Sequence, residues 1–308
     1  MRLDDFDPNI NVGSQDNRGG GFGGFGGGGG GGLLFGLLPL IGSRFGCGGI
    51  VVVLLLFAVF GGGLGSLGGL LGGGGAPIGQ VATRSAPAGG SGAVAICSAD
   101  PARRATCNAF SSAQDTWETL FAKSGQRFAA PTLQFFDQNG QSGCGAAQAA
   151  MGPFYCPPDR GIYLDTSFFN ELATRFGAAG DFAQYYVVAH EFGHHIQNLT
   201  GASDRVQQMQ RSGSRAEGNA ASVRLELQAD CYAGVWAAQN RQRLEAGDIE
   251  EGLRAAQAIG DDTLQGKSGG NVNQESFTHG SSAQRMTWLR RGLETGDPAQ
   301  CDTFSGAI

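Results

Sequence analysis

Apolar and polar positions divide the 308-residue chain into two unlike parts. Residues 1–17 are polar, with Asp4, Asp5, Asp7 and Asp16 set against Arg2 alone. Residues 19–32 are almost unbroken glycine, interrupted by Phe22 and Phe25, a composition that gives a flexible linker. Residues 45–83 then carry no charge, and their centre, 50–60, is a run of Ile, Val, Leu, Phe and Ala. The stretch 48–71 reaches the length of about 20 residues that a membrane-spanning helix needs. Leu33 and its neighbours up to Ile41 form a second apolar block, too short to span and broken by Pro39. The pattern predicts a flexible Gly-rich tail over 1–47, one transmembrane helix over 48–71, a linker over 72–93 and a globular domain over 94–308.

Inside that domain, 132–136 and 161–165 read as short strands. Helical spacing predicts helices over 167–176, 181–200, 222–243, 248–259 and 281–294. Asp181 is the expected N-cap of the second helix and Gly201 its stop, while 212–219 reads as a loop. Two short strands among a majority of helices predict an α+β fold, mainly helical with a small β-sheet.

Composition sharpens this division. The chain holds 55 glycines, more than half of them before residue 93. Glycine brings no side chain and loses the most backbone entropy on ordering, so the front third cannot build a packed core. A formal net charge of -6 and a pI near 5.2 exclude an electrostatic nucleic-acid binder. Cys47 sits at the edge of the apolar stretch, and Cys97, Cys107, Cys144, Cys156, Cys231 and Cys301 all follow it. An even number of cysteines after a membrane segment predicts disulfides and therefore an extracytoplasmic, periplasmic domain. Short loops favour Cys97–Cys107 and Cys144–Cys156, which leaves Cys231–Cys301. The expected protein crosses the cell membrane once, with its N-terminus inside. Gly61, Gly65, Gly69 and Gly73 fall on one helical face, a small-residue stripe that points to self-association through the transmembrane helix.

The helix over 181–200 contains His190-Glu191-Phe192-Gly193-His194, an H-E-x-x-H motif. Residues four apart share a helix face, so both imidazoles reach one ion from the same side. Glu191, one step on, is placed to take a proton from water on that ion. Two histidines leave zinc short of a third protein ligand. The extended motif fails, because its glycine and histidine positions hold Gln197 and Thr200. His195 points about 100° away round the helix. The next helix offers Glu226 and Asp230, again four apart, one to ligate zinc and one to hold a ligand histidine's other N–H. His279 is the candidate for steadying an oxyanion, with Tyr155, Tyr163 and Arg285 as rivals.

These stretches, together with Met151-Gly152-Pro153-Phe154-Tyr155-Cys156-Pro157, Gly161-Ile162-Tyr163-Leu164-Asp165 and Ser276 to Arg285, resemble the bacterial neutral zinc metallopeptidase family. The resemblance implies a zincin-like domain behind one membrane helix, and a zinc-dependent endopeptidase acting on a peptide or protein substrate. It also implies His190, His194 and Glu226 as zinc ligands, Glu191 as the base and Asp230 behind them. The competing expectation is a non-catalytic envelope protein in which zinc only staples two helices.

Overall fold

The computed structural model describes residues 1–15, 89–269 and 271–308. The transmembrane helix expected over 48–71, its glycine stripe and most of the linker lie outside the described residues. Among the described residues, no helix is long and apolar enough to cross a membrane. The fold is mainly helical α+β, and the described residues form a four-stranded and a two-stranded sheet.

The first described element is a correction to the expected tail. Residues 12–14 form β1 (Val12–Ser14), which pairs in parallel with β2 (Thr132–Phe135), Val12 opposite Leu133. Leu3, Ile10 and Val12 are buried in the main core, each worth about 1.5–3 kcal/mol relative to exposure. Asp7 N–H donates to Ser111 Oγ at 2.9 Å, and Asn108 Nδ2 donates to the Leu3 carbonyl. The Met1 amino group lies 2.7 Å from Asp248 Oδ1. A polar segment packs here because its few apolar side chains all turn inward.

The chain re-enters through α1 (Ser91–Cys97), so the last residues of the expected linker are helical. The following α2 (Pro101–Lys123) opens with Asp100 accepting from the Arg103 N–H and with proline in its first turn. The hairpin β3 (Asn139–Ser142) and β4 (Gly145–Gln148) is separate from the main sheet. β5 (Phe154–Cys156) and β6 (Gly161–Leu164) complete that sheet in the order β1-β2-β6-β5. Among the described strands of this sheet, β5 alone runs antiparallel, and it stands at an edge.

Helices carry the rest: α3 (Ser167–Thr174), α4 (Asp181–Thr200), α5 (Ala202–Ser212), α6 (Arg215–Gln239), α7 (Asp248–Ala258), α8 (Asp261–Lys267) and α9 (Ser282–Thr295). Gly201 stops α4 in the left-handed region, as its sequence implies, but Gly180 rather than Asp181 occupies the N-cap. The loop expected over 212–219 shrinks to a short connection. A capping box between Ser214 and Glu217 starts α6 seven residues before its expected first residue, Ser222.

Among the described residues, three disulfides join Cys97–Cys107, Cys144–Cys156 and Cys231–Cys301, the pairing that loop length favours. The last ties α6 to the C-terminal 3₁₀ turn Pro298–Cys301.

Candidate metal centre

The centre forms where α4 and α6 cross. Gly193 allows the close approach, because a Cβ there would stand 3.0 Å from both Cα and carbonyl oxygen of Ala229. α9 lies against the far side of α6 by the same device, since a Cβ at Gly292 would meet the Cys231 carbonyl oxygen at 2.0 Å.

This packing gathers His190 and His194 from α4 with Glu226 from α6, their ligand atoms all within 4.8 Å of one another. His190 Nε2 is 3.2 Å from Glu226 Oε2, and His194 Nε2 is 3.5 Å from Glu226 Oε1. The two Nδ1 atoms face the other way. Asp230 Oδ1 lies 2.8 Å from His190 Nδ1, and Gln197 Oε1 lies 2.8 Å from His194 Nδ1. Each ring is thereby oriented with Nε2 toward the shared point.

Asp230 is fully buried. Burial alone would raise its pKa, but Arg285 and His190 hold it below the ordinary carboxylate range. Arg285 donates through Nε to Oδ2 at 2.9 Å and through Nη2 to Oδ1 at 2.9 Å, and Tyr186 donates its hydroxyl to Oδ1 at 2.6 Å. For His190, burial disfavours the charged ring, yet Asp230 and Glu226 outweigh it and lift the pKa to about 10. Glu226 is pulled the opposite way: burial would raise it, and the two histidines bring it well below the usual value. Glu191, buried beside the same histidines, is raised by burial.

His279 stands at the rim. Its loop rests on α6, with Gly280 in the left-handed region and close to Val223 and Leu227, which flank Glu226. Glu226 and His279 act on each other electrostatically. Asp261 fixes this loop: its Oδ2 accepts the N–H groups of Thr278, His279 and Gly280, and its Oδ1 lies 3.1 Å from His279 Nδ1.

The rivals of His279 are occupied elsewhere. Arg285 is locked behind His190. Tyr155 meets His195 and Asn198, and Tyr163 donates to Asp159 at 2.7 Å. His195 turns away from the centre to Ala129 O, and burial lowers its pKa to about 4. Sequence reasoning missed Gln197, Tyr186 and Asp261. Gln197 had a usable signal, lying three residues after His194 on one helix face, whereas Asp261 carries none before the loop is folded.

A family model described as "Putative neutral zinc metallopeptidase" matches residues 7–304. The chain is 50% identical over 211 residues to the uncharacterized protein YpfJ of Escherichia coli (strain K12), covering 68% of this chain and 74% of that protein. It is 49% identical over 191 residues to the uncharacterized protein Rv2575 of Mycobacterium tuberculosis (strain ATCC 25618 / H37Rv), covering 58% of this chain and 63% of that one. No solved structure matches it. The chain belongs to this zinc metallopeptidase family.

Proposed function

From membership of that family as premise, we propose that the chain is a zinc-dependent endopeptidase whose domain works outside the cytoplasm and is attached to the membrane. The observation that carries the reading is the donor set. Two histidines and one glutamate converge, with no fourth donor in the group among the described residues. Structural zinc sites close with four protein ligands, whereas catalytic ones use three. Zinc bonds of about 2 Å put donors within roughly 4 Å of one another, which the Nε2–Glu226 separations of 3.2 and 3.5 Å match.

His190, His194 and Glu226 hold the ion, and Asp230 and Gln197 fix the two rings. Zinc, when bound, polarises the scissile carbonyl and makes water a stronger acid. Glu191 takes the proton from the attacking water and passes it to the leaving amine, a task helped by its burial-raised pKa. His279, held by Asp261 at its Nδ1, steadies the oxyanion that develops on the carbonyl. β5, an antiparallel edge strand packed on α4, offers an extended peptide a row of backbone partners. The three disulfides support the extracytoplasmic placement.

The test is Glu191→Gln, read by metal content and by cleavage of fluorescently quenched casein. The variant should retain its zinc and lose turnover. Cleavage at the wild-type rate would overturn the role of Glu191, and a zinc-loaded wild type inert on casein and on unfolded peptides would favour the stapling alternative.

A further inference from the structure

We propose that residues 1–15 lie on the same side of the membrane as the disulfide-bonded domain, so that the chain between them does not cross the bilayer once. The argument is one of parity. β1 is a strand of the domain's own sheet, in register with β2 from Val12–Leu133 to Ser14–Phe135. Leu133 N–H donates to Asn11 O at 2.9 Å and Gln15 N–H to Phe135 O at 2.8 Å, so the strand is bonded at both ends. Leu3 and Ile10 fill the same core as Phe110, Trp117 and Leu133. The returning chain meets the place it left, where Gly90 N–H donates to Pro8 O at 2.8 Å.

Immediately after that point Cys97 and Cys107 are bridged, which assigns this end of the molecule to an oxidising compartment. An odd number of crossings between Gln15 and Gly89 would place β1 and β2 in different compartments and leave β2 without its partner. Only an even number, including none, is compatible with the sheet. The N-terminal segment itself does not oppose this: Arg2 is the one basic side chain in residues 1–15, not a basic cluster that would hold it in the cytoplasm. The expected single-pass, N-inside arrangement therefore gives way to one in which both flanks share a compartment.

The full chain, with Cys47→Ser to remove the cysteine outside the three bridges, is expressed in bacterial cells with one new cysteine at a time. Asn9→Cys and Asp4→Cys report on the exposed N-terminal segment, and Val272→Cys, at a position 51% exposed, reports on the domain. A membrane-impermeant maleimide is added to intact and to permeabilised cells. Equal labelling of all three variants in intact cells is the expected result. Labelling of Val272→Cys in intact cells, with Asn9→Cys and Asp4→Cys reached only after permeabilisation, would overturn the proposal. Protection of all three until permeabilisation would overturn the assignment to the disulfide-forming side. Because no turnover is measured, the result is independent of whether the domain is a peptidase.

Discussion

Arg285 grips both oxygens of Asp230 with two nitrogens at 2.9 Å, and neither side chain touches solvent appreciably. The pair stands directly behind His190, so stability and metal geometry depend on one contact. Removing one member of a buried pair leaves the other charge uncompensated, at a cost of about 3–5 kcal/mol. Arg285→Ala should lower the unfolding free energy, read from denaturant titration, by that amount. Arg285→Lys should recover only part, because an ammonium cannot span both oxygens. An unfolding curve unchanged by Arg285→Ala would remove this contact from the fold's energetics.

Gln197 acts on the second ligand ring as Asp230 acts on the first. Its amide is itself held, donating to Leu225 O at 2.6 Å. Gln197→Ala should weaken zinc binding roughly 10- to 100-fold while leaving the helices folded. Competition against a chromophoric chelator reads this directly, and an unaltered affinity would show that His194 needs no support.

Zinc uptake should release protons. The His190 pKa is lifted to about 10 and that of His194 is raised as well, so at neutral pH protons compete for both rings. Affinity should therefore rise with pH and fall in acid. Calorimetry in buffers of different ionisation enthalpy measures the released protons, and zero release at pH 7 would contradict the sign.

Asp261→Asn keeps the size of the side chain but weakens its hold on His279. If His279 serves the oxyanion, kcat should drop by one to two orders of magnitude, KM should change little and zinc content should not change. His279→Gln should do the same, and the double variant should add nothing further. A fall confined to zinc occupancy would place both residues with the ligands instead.

Gly193→Val tests the crossing of α4 and α6. A branched side chain against the Ala229 backbone has to push the helices apart, at roughly 1–3 kcal/mol, and carries Glu226 away from the histidines. Lower zinc affinity together with lower stability is expected; loss of neither would mean that the crossing tolerates a side chain.

The centre was legible in the sequence where its residues share a helix face. His190 with His194, and Glu226 with Asp230, are each four apart, so local geometry alone aligns them. What tertiary packing supplies was not legible. α2 has its start signals in Asp100 and Pro101, but its buried face includes Thr106, Asn108 and Ser111, whose polarity hides the helical period. α5 and the first turns of α6 are polar enough to pass for a loop, although Ser214 and Glu217 spell a capping box. Residues 1–15 read as a tail because β1 is only a strand in company with β2, and nothing near it in the chain reveals that partner.

That pairing also sets an order of assembly. β1 leaves the ribosome before every other described strand and helix and waits, with most of a domain still to be synthesised, until β2 appears beside β6. Its contacts are therefore among the longest-range in the molecule, the class that forms slowly and late. An interval in which the edge of β2 is open and Leu133 still lacks Val12 opposite it is built into the folding of this chain.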